Sequence, residues 1–253
     1  MDQLKTAIRE KGIAVEELRQ YSYDTNRNQT DIKNTKTGED QTYVYDAENR
    51  LSQVSVTKDG KTAVIQQNIY NGEGQRIQKI DGDETINYYY QDGVVAYTTD
   101  TNGNQNSQNL IGTDGNVLAT ERFQQNATQY YLYNKDIQGS TSILIKEDGS
   151  ADATYQYTDY GETIIHGDDQ AKNEVCYTGG IYDQSTGLYY LNARYYNPVN
   201  YVDSSGHFLV STAVLVGVGV GGIVGAIAGS YKGRLVAKRL GYKGKKRNLF
   251  IAT

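Results

Sequence analysis

Residues 187–198 read Gly-Leu-Tyr-Tyr-Leu-Asn-Ala-Arg-Tyr-Tyr-Asn-Pro, and this segment separates two parts of the chain that differ in composition. Before it, aromatic and turn-forming residues recur in a regular order. Shortly after it comes an uncharged stretch, residues 208–231, with glycines at short intervals. The segment therefore closes a series of repeats, and the nature of those repeats decides the fold.

Tyrosine is the dominant large apolar residue of the chain. The 253 residues include 24 Tyr and 27 Gly, with a single Pro and no Trp. The tyrosine ring fits a half-buried pleated surface while its hydroxyl stays hydrated, so this composition favours a sheet over a helix bundle. The formal net charge of -5 is too mild to draw the whole chain to nucleic acid.

Aromatic or apolar residues followed by turn-forming residues recur at a narrow spacing. The lead positions are 23, 45, 70, 90, 111, 133 and 157, which differ by 22, 25, 20, 21, 22 and 24 residues. Each unit predicts a strand, a turn and a second strand, because Asp, Asn and Gly suit tight turns. One hairpin cannot stand alone, so the hairpins are expected to pair in one antiparallel sheet. An ordinary β-sandwich with chance tyrosine spacing is the alternative.

The units that begin with Tyr-Asp resemble the YD repeats of the Rhs family, and residues 187–198 resemble that family's core, which usually reads G-L-Y-Y-x-x-A-R-Y-Y-D-P. Asn197 replaces the usual Asp, and residues 177–183 resemble the F-T-G-x-x-x-D that precedes the core. The matching core positions are Gly187, Leu188, Tyr189, Tyr190, Ala193, Arg194, Tyr195, Tyr196 and Pro198.

The resemblance implies a hollow shell of spiralling repeats that encloses a C-terminal toxin, with the core as a plug. We expect an all-β fold, a spiralling antiparallel β-hairpin repeat sheet that forms a partial YD shell, followed by a C-terminal apolar helix. The expected divisions are a short helical or irregular lead-in (1–20), the hairpin array (21–176) and a shortened core (177–207). About seven repeats are enough only for a curved sheet or the closing end of a shell.

The resemblance also implies self-cleavage in the family, attributed to paired aspartates in two D-P-x-G segments. Two close carboxylates can share a proton because their repulsion raises one pKa. In this chain the core runs directly into the second segment, where only Asp203 and Gly206 match and Ser204 replaces the usual Pro. We expect autoproteolysis to be lost, with Asp183 as the alternative second carboxylate.

Residues 208–231 contain no charged residue, and four of their glycines fall four residues apart: Gly217, Gly221, Gly225 and Gly229. On a helix this spacing allows close contact with a second helix, and about 20 apolar residues can cross a bilayer. We therefore expect a membrane-associated helix whose basic tail (232–253) faces an anionic membrane surface. The tail holds Lys232, Arg234, Lys238, Arg239, Lys243, Lys245, Lys246 and Arg247.

Three alternatives concern this C-terminal part. A soluble helix buried inside the shell fits the same apolar residues. A dinucleotide fingerprint at Gly217, Gly219 and Gly222 is disfavoured because no acidic residue follows. Nucleic-acid binding by the tail is unlikely by this reasoning because no aromatic residues alternate with the charges.

The remaining chemistry-bearing residues predict no catalytic or metal site and no cofactor. Cys176 is the single cysteine and is expected to be a small buried residue. His166 and His207 are too few for a histidine-based metal cluster. Residues 1–20 are charged throughout and do not resemble a signal peptide.

These observations lead to one principal function and two alternatives. We expect a non-enzymatic Rhs-repeat module, a truncated or displaced cassette that displays or encloses a toxin segment in bacterial competition or at the cell surface. Its partners would be that toxin segment, an immunity protein and a membrane, and the protein would be secreted or associated with the cell surface. The alternatives are a membrane-active effector that uses residues 208–231, and an autoproteolytic core.

Overall fold

The computed structural model describes residues 5–11, 14–124, 127–192, 194–198 and 202–203. These residues form a fifteen-stranded sheet and a four-stranded sheet. Within the described residues, helix is limited to one short 3-10 turn, Tyr177–Gly179. All strand pairs are antiparallel, which confirms the predicted all-β architecture of paired hairpins.

The fifteen-stranded sheet, here called the strand array, pairs its strands in chain order. Its strands are β1 (Thr6–Lys11), β2 (Ala14–Tyr23), β3 (Gln29–Asn34), β4 (Glu39–Tyr45), β5 (Leu51–Lys58), β6 (Lys61–Tyr70), β7 (Arg76–Asp81), β8 (Glu84–Gln91), β9 (Val94–Thr99), β10 (Gln105–Ile111), β11 (Val117–Gln124), β12 (Ala127–Lys135), β13 (Thr141–Lys146), β14 (Ala151–Tyr157) and β15 (Thr163–Gly167).

The predicted repeat corresponds to two strands of the array. Tyr23, Tyr45 and Tyr70 are the last residues of β2, β4 and β6, and Ile111 and Tyr157 end β10 and β14. Because successive strands are antiparallel, all turns that follow a lead residue lie at the same end of the strands. The spacing of about 22 residues is thus the length of two strands with their two turns.

The residue after the lead fixes the turn. The amide of Asp46 donates to the carbonyl of Arg50 at 2.9 Å, and Asp24, Asn71 and Thr158 bond the carbonyl four residues on in the same way. Asp136, which follows the end of β12, makes the same bond. The Asp46 carboxylate also accepts the amides of Glu48 and Arg50 at 3.0 and 2.9 Å. Asp and Asn recur here because their short side chains cap the turn from within.

The hydroxyl of the lead tyrosine joins it to the neighbouring strand. Tyr45 donates to the carbonyl of Gln29 at 2.9 Å, and Tyr70 donates to that of Leu51 at 2.6 Å. The acceptor is the first residue of the preceding strand in each case. A phenylalanine would fit the same site but leave this carbonyl without this donor, which explains why the leads are mostly tyrosine.

The four-stranded sheet, here called the core sheet, contains β16 (Ile181–Asp183), β17 (Leu188–Tyr190), β18 (Tyr195–Asn197) and β19 (Val202–Asp203). Alternate side chains along its strands enter two separate apolar clusters. Leu188, Tyr190 and Tyr195 pack against residues of β2–β5, whereas Tyr189 packs against residues of β12–β14. The core sheet is therefore covered on both faces, and the array curves around it.

Two further expectations were a helical or irregular lead-in at residues 1–20 and a helix at residues 208–231. Residues 6–11 and 14–23 are strands rather than a helix, because β2 pairs with both β1 and β3, with Ile8 opposite Leu18 and Arg19 opposite Asn34. The expected helix at 208–231 lies outside the described residues. Across the part of the chain that the structure describes, no helix is long and apolar enough to cross a membrane.

Candidate functional site: the buried core motif

Most of the large apolar residues of the core motif, residues 187–198, are buried. Leu188, Tyr189 and Tyr190 are almost completely buried, with relative exposures of 0%, 1% and 1%. Tyr195 is buried as well, and Tyr196 is partly buried and donates to the carbonyl of Tyr160 at 2.7 Å. The tyrosine pairs of the motif are thus packing residues of a two-sided sheet.

The glycine of the motif makes the turn that allows this sheet. Gly187 has a φ of 71° and lies between β16 and β17, and its amide donates to the carbonyl of Asp183 at 2.8 Å. A residue with a side chain is strained in this left-handed conformation. Gly187 therefore sets the hairpin that places Leu188 opposite Asp183.

Asp183 connects the core sheet to the array through a buried ion pair. Its carboxylate accepts Arg76 Nη1 at 2.5 Å and Gln66 Nε2 at 2.8 Å on one oxygen, and Lys79 Nζ at 3.3 Å on the other. The side chains of Arg76 and Asp183 are both completely buried. Both carboxylate oxygens therefore receive donors from β6 and β7.

Arg76 contacts the core sheet in three further ways. Its guanidinium carbon lies 4.6 Å from the ring centroid of Tyr190, a cation–π contact, and 4.9 Å from that of Tyr88. Its Nη1 also donates to the hydroxyl of Tyr195 at 3.0 Å, and its backbone amide donates to the hydroxyl of Tyr190 at 2.7 Å. One arginine of the array thus holds residues from three core strands.

Lys79 and Glu174 complete the buried charge cluster. Lys79 forms an ion pair with Glu174, and Tyr88 donates to both oxygens of the same carboxylate at 3.1 Å. Two cations face two carboxylates, so the cluster of Arg76, Lys79, Glu174 and Asp183 is balanced in charge. We call these four residues the charge cluster.

The environment keeps Asp183 ionised. Burial by itself raises the pKa of Asp183, but the charges of Arg76 and Lys79 outweigh burial and hold it below the ordinary value of 3.8. Burial likewise favours a neutral Lys79, yet Glu174, Tyr88 and Asp183 raise the pKa of this lysine well above 10.5. Asp183 and Lys79 therefore stay charged at neutral pH.

The ionisation of Asp183 bears on its expected alternative role as a second cleavage carboxylate. A carboxyl pair that shares a proton needs one member with a raised pKa. Asp183 has a lowered pKa and two cationic partners, so it does not have the properties of the member that holds the proton. The backbone of Asp203 pairs with Tyr196 in β19, and Gly206 lies outside the described residues.

Segment 168–176 links the last strand of the array to the core sheet and is fixed by several side chains. Tyr155 donates to Asp169 at 3.0 Å, and Tyr133 donates to Asn173 at 2.8 Å. The hydroxyl of Thr141 donates to the carbonyl of Val175 at 2.6 Å. This linking segment therefore crosses the inner face of β14, β13 and β12 on its way to the core sheet.

The single cysteine and one of the two histidines lie within the described residues. Cys176 is completely buried, and burial raises the pKa of its thiol, so it is an unreactive packing residue. His166 is exposed on β15. The described residues contain no group of three or more His, Cys, Asp or Glu that could hold a metal ion.

The remaining motif positions differ in what the structure describes. Pro198 is buried and Arg194 is exposed. Ala193 lies outside the described residues, as do the glycines expected to form a helix contact: Gly217, Gly221, Gly225 and Gly229.

Sequence reasoning missed the residues of the array that bind the core. Arg76 stands six residues after lead residue Tyr70, where the preceding repeat, led by Tyr45, has the buried Leu51. A charged residue at an apolar repeat position was the available signal. Its partner, Asp183, is 107 positions away, and no local periodicity connects the two.

Comparison with known proteins gives a consistent picture. The chain is 35% identical over 183 residues to the tRNA3(Ser)-specific nuclease WapA of Bacillus spizizenii, and equally to the tRNA nuclease WapA of Bacillus subtilis. The match covers 71% of this chain but 7% of each relative. In the crystal structure of TcdB2-TccC3-Cdc42, 12% of one chain matches 74% of this chain with a TM-score of 0.50 and 16% identity.

These similarities support an Rhs-type family. No protein-family model matches the chain. The structural likeness concerns the fold alone, and the all-β antiparallel sheet is consistent with a β-shell. The expectation that the protein is not an enzyme is wrong by this comparison, because the sequence relatives are named as tRNA nucleases.

Proposed function

We propose that residues 5–203 form the closing end of an Rhs-type β-shell, in which the core motif is the plug. The observation that carries this proposal is the core sheet, whose two faces are covered by opposite ends of one array. A structure built only to fold would not need a buried charge cluster at the centre of that contact. The cluster instead fixes one position of the plug in the shell.

We further infer that the complete protein acts as a nuclease on tRNA, with the shell carrying the effector segment. The names of the WapA relatives support this activity, although the chain spans only 7% of their length. The sequence after the plug also contains eight Lys or Arg and no acidic residue after Asp203, a charge that suits an RNA backbone. In this proposal the protein is secreted or associated with the cell surface before its effector segment reaches tRNA.

A cleavage assay tests the activity. The purified full chain is incubated with total tRNA, and a chain that ends at Gly206 serves as the matched comparison. We expect cleavage products on a denaturing gel for the full chain and none for the shortened chain. Equal cleavage by both would place the activity elsewhere, and no cleavage by either would contradict the proposed nuclease.

Protection from amide hydrogen exchange tests the shell independently of that activity. Amide exchange in the full chain should be slowest at residues 188–190, which are buried on both faces. Exchange as fast there as in the exposed turn of Asp92 and Gly93 would show that the core sheet is not enclosed.

A further inference from the structure

We propose that the inner face of the strand array is a self-sufficient binding surface for residues 168–203, so that this segment stays bound when the chain is cut at residue 168. The inference deepens the proposed shell function, because it assigns how the plug is retained. Its occupant is the chain's own plug segment, a tyrosine-rich pair of hairpins with one buried carboxylate.

The apolar contacts of the plug come from both ends of the array. On one face Leu188, Tyr190 and Tyr195 pack among residues of β2–β5. On the other face Tyr189 packs among residues of β12–β14. A segment that packs against the array on two opposite faces can dissociate only when the array itself opens.

The polar contacts specify one position of the plug. Strands β16, β17 and β18 have three residues each, which is too short for strand pairing alone to define a register. Asp183 is completely buried and meets Arg76 and Lys79, whereas Glu174 meets Lys79 and Tyr88. A shift of the plug by one residue would separate these buried charges, which is strongly unfavourable.

The linking segment adds contacts that do not depend on the covalent junction. Lys172 pairs with Glu84 of β8 at 3.1 Å, and the amide of Thr141 donates to the carbonyl of Cys176 at 3.2 Å. By contrast, Gly167, Asp168 and Gln170 at the junction are exposed. The peptide bond between array and plug thus lies at the surface, next to the Tyr155–Asp169 hydrogen bond but outside the buried charge cluster.

Scission of the folded full chain tests this inference. A recognition sequence for a site-specific protease is inserted between Asp168 and Asp169, where exposed backbone tolerates insertion. The protein is folded, cut, and passed over a size-exclusion column in neutral buffer. We expect the two fragments to elute together, and separation of the fragments straight after the cut would overturn the proposal.

Variants of the cut protein test the role of the charge cluster. We expect Asp183→Asn to increase the rate of fragment dissociation at least about tenfold, which corresponds to about 1.4 kcal/mol. Asp92→Asn, in an exposed turn, is the matched control and should leave the rate unchanged. Equal dissociation rates for Asp183→Asn and the control would refute the assigned role of the cluster.

Folding of the variants is checked before the cut by circular dichroism. If Asp183→Asn does not fold, Glu174→Gln replaces it, because Glu174 is partly exposed and its loss leaves the Arg76–Asp183 pair in place. Faster dissociation of that variant supports the proposal, and an unchanged rate contradicts it. The readout needs no tRNA cleavage, so failure of the nuclease proposal would be seen separately.

Discussion

Replacement of Asp183 by asparagine should destabilise the protein more than any other isosteric change of a single Asp. Asp183 is completely buried, and both of its oxygens accept from donors: Arg76 and Gln66 on one side, Lys79 on the other. The asparagine amide carries hydrogens on one of these sides and would face a donor with a donor. The substitution also leaves two buried cations opposite one remaining carboxylate, Glu174.

The magnitude follows from this geometry. Removal of one partner of a buried ion pair typically costs about 3–5 kcal/mol of unfolding free energy. In a chain of this size each kcal/mol lowers Tm by about 2–4 °C, so we expect Tm to fall by about 10 °C. Thermal and urea unfolding, followed by circular dichroism at a strand wavelength, measure both quantities.

A control variant and a double variant test whether the loss of stability comes from an unpaired buried charge. Asp92→Asn, which changes an exposed turn residue in the same chemical way, should stay within about 0.5 kcal/mol of the parent. Arg76→Met combined with Asp183→Leu should cost less than the sum of the single changes, because neither charge is then left alone. A loss below about 1 kcal/mol for Asp183→Asn would refute the view that the cluster holds the core sheet.

Three further outcomes are expected. Tyr70→Phe should lower the unfolding free energy by about 1 kcal/mol because the carbonyl of Leu51 loses one of its two side-chain donors. Tyr89→Phe on the exposed face should have no measurable effect in the same urea titration, and equal effects would contradict the assigned role of the lead hydroxyl. Gly167→Ala should lower the unfolding free energy by about 1–3 kcal/mol, since φ is 114° and the new methyl would lie 2.5 Å from a backbone oxygen. Gly93→Ala, where no atom lies near the new methyl, should lower it less. A larger loss for Gly93→Ala would refute this reasoning. The lowered pKa of Asp183 adds stability that is complete above about pH 3.8 and is lost as the pH falls through the still lower folded-state pKa; an acid titration of Tm should show this loss in the parent protein and not in Asp183→Asn.

The repeat units were predictable because their determinants are local. A lead tyrosine, an Asp or Asn beside it and a spacing of about 22 residues are enough to place turns such as the one at Asp46. The turn is closed by hydrogen bonds within five residues, so the sequence around it contains all the partners. The strand order follows, since short connections favour antiparallel neighbours.

The contacts of the core sheet were not predictable in the same way. The motif Gly187–Pro198 marks where short strands occur, yet which residues of the array receive them depends on how the array curves. Arg76 and Asp183 are 107 positions apart, and the local sequence around either residue does not indicate its partner. The first strands could not be distinguished from a short helix, because Ile8, Val15 and Leu18 give too weak an alternation before their partner strand is known.

The two-strand repeat constrains how such a chain can change its length during evolution. Gain or loss of one strand would place every later lead turn at the opposite end of the strands. Gain or loss of a whole hairpin would leave these turns at the same end. Strands β9–β11 contribute no described residue to either apolar cluster around the core sheet. Recombination between repeats in this middle region would therefore change the number of strands in the array without removing an apolar contact to the core sheet.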